Sequence, residues 1–190
     1  MTSVFDVLAR DHEEVKQMLA ELELGPTAVA NANPDQLALR KKMAQQLVIE
    51  ESRHEAAEEM YFWPAVIERL EDGTDLANQA LDQEQMGKAV LDRLDKLEPQ
   101  DEEFEIQLAE FTSAGRAHIA FEEEVVWPGL RLALTLEEAG RLGEKVEKAK
   151  EKAPTRPHPK APASPGVLKA AGPAVATVDR LRDTAAGRDE

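Results

Sequence analysis

No cysteine occurs among the 190 residues. Disulfides, thiolate metal sites and cysteine-ligated iron–sulfur clusters are excluded with it. Glycine and proline are scarce before residue 153, where Ala, Leu, Glu, Lys, Arg and Gln dominate, and that composition favours an all-α domain. No run of about 18 apolar residues is present, so no segment reads as a membrane span. The opening MTSVFDVLARDHEEV has no apolar core flanked by basic residues. It does not read as a signal peptide, which makes a cytoplasmic protein the expectation. Positive charge is short as well. The net charge is −15, and the stretch from Ala153 carries six Lys/Arg against four Asp/Glu, so the preceding 152 residues hold −17. Such a surface repels phosphate backbones and anionic lipid, and neither nucleic acid nor a membrane is expected as a partner.

What the chain has instead is helical periodicity. Val4, Val7, Leu8, Val15, Met18, Leu19 and Leu22 mark a first helix from about Ser3 to Glu23, closed by Gly25-Pro26. Asn33-Pro34 opens a long second helix to about Glu71. A third covers about Asp75 to Leu97, and a fourth about Asp101 to Leu134. Thr135-Leu-Glu-Glu138 is a capping-box signature for a fifth, ending near Lys152. Pro64 and Pro128 stand late in helices two and four, where each should kink its helix or start an offset final turn. From Ala153 onward lie six of the eleven prolines, which read as a flexible tail. The expected architecture is an up-down-up-down four-helix bundle over 1–134, an additional helix over 135–152, and a Pro/Ala-rich tail over 153–190.

Two stretches repeat one frame. Residues 54–64 read HEAAEEMYFWP and residues 118–128 read HIAFEEEVVWP, 64 residues apart. Residues four apart share a helix face, so His54 with Glu58, and His118 with Glu122, each aim an imidazole and a carboxylate at one point. Nitrogen with carboxylate oxygen suits iron, zinc or manganese. Leu47 and Tyr61 flank His54, and Phe111 and Val125 flank His118, at seven residues either side, so both histidines should point inward. A lone H-x-x-x-E in a glutamate-rich helix is ordinarily an exposed ion pair; two copies, each followed by W-P, form a spaced-ligand signature. Glu59 and Glu123 lie about 100° further round and should face solvent or touch a ligand rather than a metal. Trp63 and Trp127 should pack the bundle end beside their prolines, and His158 has no partner within helical reach.

His12 lies on the apolar face of helix one. The repeat predicts a counterpart on helix three, and aligning Val15, Met18, Leu19 and Leu22 with Gly87, Val90, Leu91 and Leu94 places Glu84 there, with Gln85 as the off-by-one alternative. Tyr61, seven residues after His54, returns to nearly the same face of an unbroken helix. It is a candidate ligand, or a tyrosine whose hydroxyl bonds a ligand carboxylate.

The set His12, His54-x3-Glu58, a helix-three position and His118-x3-Glu122, over about residues 3–134, resembles the hemerythrin-like HHE cation-binding family. That resemblance implies a four-helix bundle with a non-haem centre of two Fe ions, bridged by oxo or hydroxo and by carboxylate. It implies that His12, His54, Glu58, His118 and Glu122 ligate iron, with Glu58 and Glu122 able to bridge. The helix-three histidine of the family pattern is absent, and Glu84 stands near its place. Ferritin-like carboxylate proteins use Glu-x-x-His on two helices; Glu51-x-x-His54 makes that pattern once, but Gly115 breaks it on helix four. An anionic carboxylate in place of a neutral imidazole stabilises ferric iron. The expected function is therefore reaction with O2 or hydrogen peroxide, catalase-like in its concrete form, with an electron donor left open. The alternative is a module that binds or senses O2, NO or iron without turnover.

Overall fold

The computed structural model describes residues 2–160 and 175–184, and all regular structure among them is helical. Helix α1 spans Val4–Leu24, α2 Pro34–Ala57, α3 Trp63–Arg69, α4 Gly73–Leu94, α5 Glu102–Phe121, α6 Trp127–Ala133 and α7 Leu136–Lys150. Capping boxes start three of them. Ser3 with Asp6, Asn33 with Gln36, and Thr135 with Glu138 each exchange side-chain and backbone hydrogen bonds across the first turn.

The two prolines act through the turn before them. Between α2 and α3 the chain makes a π-helical turn over Glu58–Phe62, and between α5 and α6 a second over Glu122–Val126. Pro64 and Pro128 have no N–H to return and a ring that crowds the carbonyl four residues back. The wider turn makes room, and the N–H of Trp63 bonds the carbonyl of Glu58 while that of Trp127 bonds Glu122. Each rod thus runs on past its motif, with one extra residue in the turn that begins at the motif glutamate.

α1 packs against α2, α4 against α5 and α3 against α4, while α7 lies on α1, α2 and the Glu58–Phe62 turn. α7 comes close because Gly143 has no side chain. A Cβ there would stand 2.6 Å from the Thr2 carbonyl oxygen. The apolar core is divided in two: one cluster holds Val4, Leu8, Phe62, Trp63, Val126, Trp127 and Val146, the other Val15, Leu19, Leu47, Leu91, Phe104 and Phe111. Between them lies a polar layer. Leu8 and Val15 bracket His12, Leu47 and Ala57 bracket His54, Ala80 and Val90 bracket Glu84, and Phe111 and Val126 bracket His118.

The stretch read as a tail is seated on the bundle in its described parts. Arg156 reaches Asp95 at 3.1 Å and Asp183 at 2.8 Å, Thr155 bonds Asp183, and the Gln85 amide donates to the Pro159 carbonyl. His158, which the sequence left without a role, pairs with fully buried Asp179 at 2.8 Å. Residues 175–184 are helical, while 161–174 and 185–190 lie outside the described residues.

Candidate metal centre

Two groups of ligand atoms converge in the polar layer, each within 4.8 Å: His12, His54, Glu58 and Glu122 in one, Glu58, Glu84 and His118 in the other. Glu58 belongs to both. Glu122 also faces both sides, its Oε2 lying 3.0 Å from His12 Nε2 and its Oε1 3.3 Å from His118 Nε2. His54 Nε2 lies 3.2 Å from Glu58 Oε2. These approaches are not aligned as hydrogen bonds. Both oxygens of Glu58 and of Glu122, Glu84 Oε2, and Nε2 of His12 and His118 are buried without a hydrogen-bond partner among the described residues. A fold does not keep so many orphaned lone pairs at one point cheaply, and a cation is the species that satisfies them together. Hard carboxylates with borderline imidazoles fit iron, manganese or zinc.

The far side of each imidazole is held. His12 Nδ1 lies 2.9 Å from Glu123 Oε1, His54 Nδ1 3.5 Å from Asp11 Oδ2, and His118 Nδ1 2.9 Å from Gln83 Oε1. Each partner is an acceptor, so Nδ1 keeps its proton and Nε2 is the nitrogen left to face a metal. Glu123 is itself anchored by Lys16 at 2.9 Å, and Asp11 by Lys150 of α7 at 2.6 Å.

The pseudo-twofold runs deeper than the ligands. Asp11, His12 and Lys16 stand 72 residues before Gln83, Glu84 and Lys88, as His54, Glu58, Glu59 and Trp63 stand 64 before His118, Glu122, Glu123 and Trp127. Trp127 stacks on His12 with ring centres 5.2 Å apart and planes at 16°, and Trp63 donates its indole N–H to Glu84 Oε1 at 2.6 Å. The two tryptophans therefore pack as expected and in addition touch the first-helix and third-helix positions of the site. Glu84, not Gln85, stands where symmetry places the partner of His12. Glu59, expected at the surface or beside a ligand, is buried and bonded to Lys88, whose ammonium lies 3.6 Å from Glu84 and 3.8 Å from Glu55. Tyr61 is half-buried against the apolar cluster and does not line the cavity beside the site. Its seven-residue spacing from His54 assumed an unbroken α-helix, and Tyr61 instead stands within the π-helical turn Glu58–Phe62. Sequence reasoning missed Asp11, Gln83 and Lys88. The recurrence of Asp11/Gln83 and Lys16/Lys88 at the His12/Glu84 offset was the signal for them.

Charge in the layer is strongly coupled. Burial opposes the charged form of His118, but Glu122 outweighs it and holds the ring up to about 10. His54 is likewise opposed by burial and held well above its usual range by Glu58 and Asp11. Burial, and then the neighbouring Glu122, push Glu58 up, while burial pushes Glu84 well above the carboxylate range against the pull of Lys88. Without metal the centre therefore holds protons, and a cation must displace them. The sign follows. A group raised in the fold stabilises fully below its unfolded value and loses that contribution as pH rises to the folded one. For His118 that window runs from the ordinary value of 6.5 to about 10. Metal-free protein should lose stability across it, while metal-loaded protein, whose imidazoles are already neutral, should not. The gain in melting temperature on adding Mn2+ should widen from pH 6.5 to pH 9.5; a constant gain would contradict this assignment of protons.

A cavity of about 20 Å³ adjoins the layer, lined by the three histidines, Val15, Glu51, Glu55, Gln83, Glu84, Gly87, Phe111, Gly115 and others. It can admit a water-sized molecule.

Compared with known proteins, the chain matches the hemerythrin HHE cation binding domain over residues 3–130. It is 28% identical over 184 residues to an uncharacterized hemerythrin-like protein of Schizosaccharomyces pombe, covering 96% of this chain and 86% of that one. No solved structure matches.

Proposed function

This chain belongs to the hemerythrin HHE cation-binding family, and from that footing we propose that it holds two iron ions and reacts with dioxygen or hydrogen peroxide, peroxide disproportionation being the concrete form. In this reading the four rods of the bundle run up-down-up-down. His12 and His54 hold one ion, Glu84 and His118 the other, and Glu58 and Glu122 span both. Iron bound there would supply one-electron redox chemistry and Lewis acidity toward an oxygen-donor ligand.

The residues of the chain do the rest. Glu123, Asp11 and Gln83 keep the Nδ1 proton in place and aim each Nε2 inward. Phe62, Trp63, Val126 and Trp127 exclude bulk water from one side of the layer. The cavity admits a small molecule from the other. The observation that carries the choice of chemistry is Glu84, a carboxylate at the place related by symmetry to His12. The added negative charge favours the oxidised metal and disfavours reversible carriage of O2. No helix among the described residues is long and apolar enough to cross a membrane, and we place the reaction in the cytoplasm.

A second reading, a module that binds O2, NO or iron without turnover, is favoured by one contact. Gln85, next to Glu84, is tied to the C-terminal segment at Pro159, so a change at the metal has a route to the outer surface. One experiment separates the two. The full chain is loaded anaerobically with ferrous iron, iron per chain is measured, and oxygen release from hydrogen peroxide is followed. Two irons with sustained release are expected. Two irons with peroxide untouched would leave the binding reading, and no iron uptake would sink both.

A further inference from the structure

One carboxyl beside the centre has no partner. Glu51 lies on α2, one turn before His54, and is buried at 7% exposure. It lines the cavity together with His12, His54 and His118. Among the described residues no hydrogen bond or ion pair reaches it, although every other carboxylate on this side has one: Glu55 meets Lys88, Glu59 meets Lys88, and Glu84 meets Trp63. A carboxyl left unpaired in the interior is costly, and such groups persist where a ligand or a reaction uses them.

The room in front of it comes from a break in the repeat. Symmetry relates Glu51 to Gly115 and Val15 to Gly87. A Cβ at Gly115 would stand 3.5 Å from the Phe111 ring, and one at Gly87 would stand 3.6 Å from Glu55 Oε1, so both glycines could carry a methyl group. Their place in two helices costs stability relative to alanine. The two missing side chains leave the cavity open, and the acid faces into it.

We propose that Glu51 is the residue through which the site hydrogen-bonds an exogenous ligand, selecting a small polar molecule of the hydroperoxide or azide class over an apolar diatomic gas. The carboxyl reaches the end of the ligand that points away from the metal and fixes its orientation across the cavity. This rests on the two-iron reading above and narrows its substrate class from dioxygen-or-peroxide to peroxide.

The test uses full-length, iron-loaded protein and two probes. Azide affinity of the ferric form is measured by its visible absorption, and nitric oxide affinity of the ferrous form serves as a ligand of similar size with no need of a hydrogen bond. Glu51→Leu, close in volume, should weaken azide at least about tenfold, leave nitric oxide within about threefold, and keep the iron content and melting temperature of the wild type. Glu51→Gln should bind azide within about threefold of the wild type. Unchanged azide binding in Glu51→Leu overturns the proposal. Parallel loss of azide and nitric oxide in that variant would make Glu51 a wall of the cavity and nothing more, and a Gln variant as weak as Leu would assign the effect to charge; either overturns the hydrogen-bonding role. A wild type that takes up two irons but binds neither probe overturns the ligand reading as a whole. One that takes up no iron overturns the metal reading, and the proposal falls with it in both cases.

Discussion

Glu58→Gln should abolish stoichiometric binding of both metal ions, whereas His118→Ala should lose one and keep the other. Glu58 belongs to both ligand groups, and among the described residues neither of its oxygens has a hydrogen-bond partner. An amide keeps its size but offers one neutral oxygen in place of two anionic ones. The thermal readout is large. A ligand at a thousand times its Kd stabilises the fold by about 4 kcal/mol, which for a chain of this length raises Tm by roughly 10 °C; Glu58→Gln should forfeit nearly all of it. Metal-free melting should move far less, since the fold already disfavours a charged Glu58 through burial and Glu122. Glu123→Gln makes the graded case. It touches His12 only through Nδ1, and loss of such a partner weakens metal binding by about 10–100-fold without removing a ligand. Two ions per Glu58→Gln chain, with wild-type melting, would show that Glu58 is not shared.

The ligand candidates were legible because their information is local. H-x-x-x-E is one turn of one helix, and two copies at matched places give both faces without any knowledge of packing. The helix start at Asn33-Pro34 and the capping box at Thr135 were legible for the same reason, each signalled within a few residues. Glu84 was reachable by aligning apolar positions, since it lies on the buried stripe of its helix. What the sequence hides is which of its many acids are buried. Glu51, Glu55 and Glu59 read like any solvated glutamate run, and all three are inside. Glu59 is buried against Lys88 whereas Glu123, at the same place of the second π-turn, stays partly exposed, so spacing along the helix does not express the difference. Lys88 looks like a surface lysine because its three carboxylate partners come from α2, the π-turn and its own helix, and no single stretch contains them.

Lys88→Met should therefore be among the most destabilising single substitutions in the chain, at about 3–5 kcal/mol. The Lys88 side chain is 12% exposed and its ammonium lies among Glu55, Glu59 and Glu84. Three carboxylates around one cation are already in excess. Burial, opposed by Lys88, pushes Glu55 up to about 8, so that it is largely protonated at neutral pH. Removing the cation strands Glu59 in the interior and takes away the one charge that opposes the burial of Glu84, and a thioether replaces neither contact. The repeat supplies an internal control in Lys16, the symmetry mate of Lys88, which pairs with Glu123 at side-chain exposures of 37% and 31%. Lys16→Met deletes the same ion pair in solvent and should cost about 0–1 kcal/mol. The two variants differ in burial and hardly at all in chemistry, so urea unfolding of both at pH 7, without metal, isolates the effect of the interior. The gap between them should also narrow as pH falls. Carboxylates raised by burial stabilise fully below about 4.5 and lose that contribution as pH climbs, and a fold lacking Lys88 depends more on keeping them protonated. Equal costs for Lys16→Met and Lys88→Met would mean that the metal-free fold does not depend on the Lys88 charge among Glu55, Glu59 and Glu84.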